Sequence, residues 1–210
     1  MSTDLAQVFA FFFAIFAFFG GMALLVYAIN KTATRKYHPS DRPIWRGTES
    51  PVSSTRGAVL SAQTIEELQY IRMIEPFVAE AKLDSKGNSY GLGPCTYDVR
   101  IAENITLNPG DFVLAHTIEK FNLPNNVCMS VKDKSSLIRR GLKVHNTHCD
   151  PGWKGWLTLE LELSTGVMEP LSFNAGDAIA QVKFEFLDKP TGRPYKGKYQ
   201  NQEDIPVPAR

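Results

Sequence analysis

The chain has 210 residues, with 23 Lys or Arg against 22 Asp or Glu, so its formal net charge is +1. This balance excludes a protein that coats nucleic acid through bulk positive charge. A content of 43% hydrophobic and 21% charged residues excludes a disordered chain. The three cysteines have no CxxC spacing and cannot all pair, which argues against a disulfide scaffold and favours a reducing compartment.

An apolar segment comes first. Residues 8–29 form a run of 22 residues without a charge, and seven of the 13 phenylalanines lie in it. At about 1.5 Å per residue, a helix of this length reaches roughly 33 Å and would cross a hydrocarbon core of about 30 Å. A cleaved signal peptide is the alternative, but it would begin with basic residues, whereas the only charge before this run is Asp4. The sequence therefore predicts an uncleaved transmembrane anchor over residues 1–30.

A polar segment follows the anchor. Its first basic residues, Lys31, Arg35 and Lys36, have no counterpart before the apolar run. The positive-inside rule then predicts a single-pass membrane protein whose remaining residues lie in the cytoplasm. Residues 31–56 are rich in Ser, Thr, Pro and Arg and show no periodicity, which predicts a linker.

The next region changes from helix to strand. Thr64 and Glu67 have the spacing of a capping box, which predicts a short amphipathic helix from there to about Ile74. Beyond it, short apolar stretches alternate with turn sequences, which predicts a mostly antiparallel β barrel or sandwich. The turn Asn-x-Gly-Asp occurs at 108–111 and again 66 residues later at 174–177. This echo reflects either two equivalent strand pairs or chance use of good turn residues.

The clearest predicted strand covers residues 156–163. Four leucines alternate with four other residues, Trp156, Thr158, Glu160 and Glu162, in strict period two. Both glutamates therefore share one face. That face either lies in water or places one glutamate in a pocket as a general base, and periodicity does not say which glutamate.

Several known catalytic motifs are incomplete or absent in the sequence. His145, His148 and Cys149 form an H-x-x-H-C cluster, but a zinc site would need another ligand, and the spacing suits a helix better than extended chain. Zinc-dependent deaminases carry P-C-x-x-C, whereas Pro94-Cys95 has no second cysteine. The sequence contains no P-loop, no G-x-G-x-x-G and no G-x-S-x-G.

Two segments have the composition of phosphate-binding sites. Residues 132–141 (KDKSSLIRRG) place two hydroxyls between cations, which is either a phosphate cradle or a solvated basic turn before a short helix. Residues 193–202 (RPYKGKYQNQ) are either a frayed tail or a flexible lid that brings cations and an aromatic ring over a nucleotide.

Six stretches occur together and in order. They are SYGL (89–92) with YDVR (97–100), NPGDFVLA (108–115), KDKSSLIRRGL (132–142), HNTHCDPGWKGWLTLEL (145–161), NAGDAIAQVKFEF (174–186) and PYKGKYQNQ (194–202). On these stretches the chain from residue 57 onward resembles the dCTP deaminase family, within the trimeric dUTPase superfamily. The anchor and the linker lie outside the resemblance.

The resemblance implies a mainly β domain over residues 57–205, with a tail at 206–210. Its expected fold is a dUTPase-like distorted β-barrel or jelly roll with one or two short helices, assembled as a homotrimer with an active site at each subunit interface. The implied reaction is hydrolytic deamination of dCTP to dUTP and ammonia, with no zinc and with Mg²⁺ bound to the nucleotide triphosphate. No nucleic acid polymer is implied as a partner.

The resemblance also implies the roles of individual residues. The Leu-Glu stretch after Pro-Gly-Trp places the general base at Glu160 rather than Glu162, with Arg139 and Ser135 orienting it and the water. The implied triphosphate ligands are Lys134, Ser136 and the lid residues Tyr195, Lys198 and Gln202. The implied contacts to the nucleoside are Asp150 with the 3′-hydroxyl, and backbone groups of His145, Asn146 and Thr147 with the base edge.

The chain departs from the family pattern at three places, one of which is a stretch between Gly141 and Asp150 that is two residues shorter than the common form. The common loop Gly-Arg-Ser-Ser here reads Asp-Lys-Ser-Ser, and Lys134 keeps the charge of arginine but not its bidentate geometry. Leu163 stands where most members carry asparagine. Two other functions stay open: dUTP pyrophosphatase activity, since an aspartate at the Asp150 position activates water in dUTPases, and a non-catalytic nucleotide sensor, since an anchor is unusual for a nucleotide enzyme.

Overall fold

The computed structural model describes residues 57–209. The predicted anchor at residues 8–29 and the predicted linker at 31–56 lie outside the described residues. Between residues 57 and 209, no helix is long and apolar enough to cross a bilayer.

Strands dominate the described part of the chain. Two short α-helices, α1 (Ala62–Glu67) and α2 (Ser135–Ile138), and a 3-10 turn (Leu68–Ile71) accompany twelve strands. The strands are β1 (Ile74–Glu75), β2 (Lys82–Leu83), β3 (Ser89–Leu92), β4 (Tyr97–Arg100), β5 (Ile105–Leu107), β6 (Phe112–Asn122), β7 (Val127–Asp133), β8 (Leu142–Val144), β9 (His148–Cys149), β10 (Lys154–Leu163), β11 (Leu171–Phe173) and β12 (Ala178–Phe186). This content confirms the prediction of a mainly β protein with few helices.

The strands form three antiparallel sheets. The orders are β1-β6-β10-β8, β2-β3-β4-β12-β7-β9 and β11-β5. A single bridge between Ile101 and Thr117 joins the end of β4 to β6, and so links the two larger sheets. Their apolar faces enclose one core, in which Phe121 of β6 packs against Phe184 of β12 with ring centroids 6.3 Å apart.

Strand β10 follows its predicted alternation. Leu157, Leu159, Leu161 and Leu163 are buried in the core. The other face, hereafter the polar face of β10, carries Trp156, Thr158, Glu160 and Glu162, which are all partly exposed. Leu163 therefore belongs to the core, on the opposite face of the strand from Glu160.

The repeated Asn-x-Gly-Asp turn marks two equivalent strand pairs. In each copy a short strand, β5 or β11, leads through the turn into a long strand, β6 or β12, and the two short strands pair with each other. The backbone N–H of Asn108 donates to the Asp111 carboxylate at 2.7 Å, and that of Asn174 donates to the Asp177 carboxylate at 2.8 Å. The echo in the sequence therefore has a structural origin.

The first helix begins and ends earlier than predicted. The N-cap of α1 is Ser61 and not Thr64. The backbone of Ser61 is extended, and its hydroxyl accepts a hydrogen bond from the Thr64 N–H at 3.4 Å. The helical stretch stops at Ile71 because Arg72 adopts φ 53°, and Ile74 lies in β1 rather than in a helix. A cap at Ser61 directs Ile65 and Leu68 into the core.

Candidate active site

The polar face of β10 holds Glu160 beside a second polar segment. The backbone N–H of Glu160 donates to Asn146 Oδ1 at 2.9 Å, and its carbonyl accepts the His145 N–H at 2.8 Å. Asn146 also donates from Nδ2 to the Thr158 carbonyl at 2.7 Å. The Asn146 amide thus binds the backbone on both sides of Leu159 and fixes the 145–147 segment next to Glu160.

The structure separates the two glutamates that the sequence pattern left equivalent. The Glu162 carboxylate accepts hydrogen bonds from Lys143 Nζ and His145 Nε2, each at 2.7 Å. These two partners hold the pKa of Glu162 below its usual range. Between residues 57 and 209, no hydrogen bond or ion pair reaches the Glu160 carboxylate. Of the two, Glu160 is therefore the one whose carboxylate is available to a ligand.

The C-terminal segment packs along β10 and places Gln202 near Glu160. The Gln202 side-chain amide donates to the Thr158 hydroxyl, which also accepts the Val207 N–H at 3.0 Å. Gly155 makes the close approach possible: its φ is 139°, and a Cβ there would lie 2.5 Å from the backbone nitrogen of Gln202. The segment is thus packed against the domain and is not a frayed tail.

Further contacts fix the segment before and after Gln202. Trp153 Nε1 donates to the Tyr199 carbonyl at 2.8 Å, and the Tyr195 hydroxyl accepts the Tyr199 N–H at 3.2 Å. The His116 ring lies between two carboxylates, with Nδ1 3.1 Å from Glu103 and Nε2 3.3 Å from Asp204. Lys198 is exposed, with Nζ 5.1 Å from the centre of the Tyr199 ring.

The predicted phosphate loop shows one buried and several exposed polar groups. Lys134 is only 6% exposed, and its ammonium group binds Asp98 Oδ2 at 2.5 Å and Ser89 Oγ at 2.9 Å. Ser135 and Arg139 are exposed, and the Ser136 hydroxyl donates to Asn88 Oδ1 at 3.1 Å. Within residues 57–209, no hydrogen bond or ion pair joins Ser135 or Arg139 to Glu160.

The remaining predicted residues lie around the 145–150 stretch. Asp150 and Thr147 are exposed, and Asp150 Oδ1 lies 3.9 Å from His148 Nε2. His145 instead binds Glu162, and burial raises the pKa of the Cys149 thiol to about 12. No group of three or more His, Cys, Asp or Glu side chains converges as a metal site in residues 57–209, so the members of the H-x-x-H-C motif do not meet.

Two features of the site escaped the sequence analysis. One is the Asn146 side chain, which was expected to contribute only backbone groups. The other is the buried pairing of Lys134 with Asp98, whose Oδ1 also accepts a hydrogen bond from Gln181 Nε2 at 2.8 Å. A signal for the second exists, because Asp98 lies between the buried residues Tyr97 and Val99, and a charge in that position needs a partner.

Comparison with known proteins gives a consistent picture. A family model described as dCTP deaminase-like matches residues 94–187. The dCTP deaminase of Thermococcus gammatolerans is 35% identical over 144 residues, which cover 66% of this chain and 90% of that protein. The dCTP deaminase of Chlamydia felis is 32% identical over 189 residues, with 69% and 98% covered.

A solved structure shares the fold. The crystal structure of 2′-deoxycytidine 5′-triphosphate deaminase from Agrobacterium tumefaciens superposes with a TM-score of 0.50 at 17% identity, covering 62% of this chain and 48% of that one. The chain thus spans about half the length of that protein. The shared fold agrees with the predicted dUTPase-like class.

Proposed function

The chain belongs to the dCTP deaminase family, and from this premise we propose that it hydrolyses the exocyclic amino group of dCTP to give dUTP and ammonia. One observation carries the proposal most directly. On the polar face of β10, in a stretch matched by the family, the Glu160 carboxylate has no partner within residues 57–209, while Asn146 binds the Glu160 backbone and Gln202 binds Thr158 on the same face. Such a carboxylate suits a general base.

The proposed chemistry uses Glu160 twice. It takes a proton from a water that attacks C4 of the cytosine ring and passes this proton to N3 as the tetrahedral intermediate forms. It then takes the proton of the new C4 hydroxyl and gives it to the amine. The C4–N4 bond breaks, the C4 carbonyl forms, and ammonia departs. One water is consumed and one ammonia is released, and neither oxidant nor zinc enters the scheme.

The proposed substrate contacts follow the family roles. The base edge meets the 145–147 backbone, which Asn146 fixes beside Glu160. Asp150 meets the deoxyribose 3′-hydroxyl, and the triphosphate arrives with its Mg²⁺ as part of the substrate. The proposed triphosphate ligands are Ser136, Tyr195, Lys198 and Gln202.

We also propose that the site is completed in a homotrimer. Ser135 and Arg139 are expected to orient the base and the water, yet within residues 57–209 neither bonds to Glu160. The Arg139 guanidinium and the Glu160 carboxylate both lack a partner in this part of the chain, as expected if each meets the other group across a subunit interface. Light scattering of the purified chain measures the assembly, and a monomer that is active would contradict this arrangement.

Membrane attachment through residues 8–29 is a separate proposal, and its support is the sequence. A run of 22 residues without a charge, followed by Lys31, Arg35 and Lys36, suits a single span with the nucleotide domain in the cytoplasm. Fractionation of cells that express the full chain tests this. Recovery in the membrane pellet after a carbonate wash supports the span, and recovery in the supernatant contradicts it.

Product analysis tests the activity itself. The full chain is incubated with dCTP or with dUTP, each with Mg²⁺, and ammonia and pyrophosphate are measured. We expect ammonia from dCTP and no pyrophosphate from either nucleotide. Pyrophosphate from dUTP would indicate dUTPase-type hydrolysis, and dCTP binding without ammonia release would indicate a nucleotide-binding module.

A further inference from the structure

Lys134 and Asp98 form a buried ion pair that joins four elements of the domain. Lys134 is 6% exposed and Asp98 is 9% exposed, and their charged groups are 2.5 Å apart. Ser89 of β3 donates to Asp98 Oδ2 at 2.9 Å, and Gln181 of β12 donates to Asp98 Oδ1 at 2.8 Å. The pair therefore links β3, β4 and β12 to the predicted phosphate loop at Lys134, the residue before α2.

The backbone of Lys134 in turn holds helix α2. Its carbonyl accepts the N–H groups of Leu137 at 2.8 Å and Ile138 at 2.9 Å, and no side chain caps this helix. A helix of four residues does not form by itself in water. The Leu137 side chain is buried in the core and anchors α2 from its apolar side. The start of the helix is held by Lys134, whose buried charged partner is Asp98.

Two weaker contacts flank the ion pair. The Val144 N–H donates to Asp133 Oδ1 at 2.8 Å, and the Ser136 hydroxyl donates to Asn88 Oδ1 at 3.1 Å. Both contacts are exposed to solvent, whereas the Lys134–Asp98 contact is buried, so removing either partner leaves an unpaired buried charge. Between these fixed points, Ser135 and Arg139 present their polar groups to solvent.

We infer that Asp98 is a positioning residue for the deamination: through its buried ion pair with Lys134 it fixes the loop that presents Ser135 and Arg139. This inference rests on the proposed function. It assigns Lys134 to the interior of the domain, where its ammonium group already has two oxygen partners, and not to the triphosphate. A lysine that binds phosphate would instead need to reach solvent.

A double-mutant cycle tests the inference in the full chain. The variants are Asp98→Asn, Lys134→Met and the pair together, with Lys82→Met as a control that removes one exposed positive charge from β2. Hydrogen exchange of the Leu137 and Ile138 amides reads the position of the loop without depending on activity. Steady-state kinetics with dCTP measure the effect of each variant on kcat and KM.

We expect each single variant to speed the exchange of these two amides by about tenfold or more, and the double variant to be no faster than the faster single variant. In kinetics, both singles lower kcat more than they raise KM, because three of the four proposed triphosphate ligands, Tyr195, Lys198 and Gln202, lie in the C-terminal segment outside the loop. The Lys82→Met control changes neither. If Asp98→Asn does not fold, Ser89→Ala replaces it, because this variant removes a hydrogen-bond partner of both charged groups. It should also speed the exchange of the two amides and lower kcat, by smaller factors.

Two results would overturn the inference. One is unchanged amide exchange in Asp98→Asn. The other is a rise in KM for dCTP in Lys134→Met that Asp98→Asn does not share, which identifies Lys134 as a phosphate ligand. If the unmodified chain releases no ammonia, the proposed function fails, and the exchange measurement still decides whether Asp98 fixes the loop.

Discussion

The Lys134–Asp98 cluster and the polar face of β10 differ in whether their charged groups have protein partners. In the cluster, both carboxylate oxygens and the ammonium group have protein partners, because an unpaired buried charge costs several kcal/mol. On β10, Glu160 is partly exposed and its carboxylate has no partner within residues 57–209. The paired charges fix the shape of the site, and the unpaired charge is left for the substrate.

Removing the Glu160 carboxylate tests the role of the unpaired charge on β10 and has the largest expected effect. We expect Glu160→Gln to lower the rate of ammonia release by about 10²–10⁴-fold, the usual contribution of a general base, with little change in melting temperature. Glu162→Gln is the matched control on the same face and should retain most of the activity, because Lys143 and His145 already engage that carboxylate. Equal losses in both variants would remove the distinction between the two glutamates.

A second buried pair tests the paired side through stability. Glu119 is fully buried and accepts the Nε–H of Arg100 at 2.8 Å and the Arg100 backbone N–H at 2.9 Å. We expect Glu119→Ala to lower the free energy of unfolding by about 3–5 kcal/mol, because it leaves the Arg100 guanidinium, on a side chain only 16% exposed, without its carboxylate partner. Urea denaturation measures this change.

The repeat in the fold supplies the control for Glu119. Glu185 lies 66 residues later at the equivalent position of β12, but it is partly exposed and pairs with Lys183 at 3.1 Å. We expect Glu185→Ala to cost about 0–1 kcal/mol, as for other solvent-exposed pairs. If the two substitutions cost the same, burial does not set the value of these charges.

Gly155 joins the polar face of β10 to the C-terminal segment, since it lets that segment reach Thr158 on the same face as Glu160. We expect Gly155→Ala to destabilise the packed segment by about 1–3 kcal/mol, because alanine tolerates φ 139° poorly and its Cβ would meet Gln202. Faster trypsin cleavage after Lys196 and Lys198 and a higher KM for dCTP should follow. Gly192→Ala is the control, because a Cβ there would meet nothing within 4 Å. Equal protease resistance in both variants would show that the segment does not depend on Gly155.

The smallest expected effect concerns the pH dependence of stability. The pKa of Glu162 is held below its usual range by Lys143 and His145, so the ionised form stabilises the folded state. This contribution is present above the ordinary glutamate pKa and is lost as the pH falls through the lower value in the folded state. Melting temperatures of the unmodified chain and of Glu162→Gln should therefore differ at pH 7 and converge at acid pH, once the carboxylate is protonated in the folded state as well. A constant difference across that range would contradict this sign.

Features set by local spacing were predictable from the sequence. The alternation along residues 156–163 placed four leucines in the core and both glutamates on the other face, and the repeated Asn-x-Gly-Asp turns marked two equivalent strand pairs. Both signals arise from neighbouring residues. The predicted anchor and linker lie outside the described residues and stay predictions.

Features that depend on distant partners were not predictable in the same way. Lys134 and Asp98 are 36 residues apart, and nothing near Lys134 in the sequence shows that its ammonium group is buried. The choice between Glu160 and Glu162 depends on Lys143 and His145, which adjoin β10 only through the pairing of β8. The start of α1 was wrong because Ser61 and Thr64 both suit a cap, and the burial of Ile65 decides between them.

A structure of the full-length Glu160→Gln variant with dCTP and Mg²⁺ tests the central claim most directly. We predict that C4 of the cytosine lies over the polar face of β10, with a water within about 2.6–3.2 Å of the side chain at position 160. A neighbouring protomer should contribute Ser135 and Arg139 to the same cavity. A nucleotide bound with C4 against Glu162, or on a surface away from β10, would contradict the account.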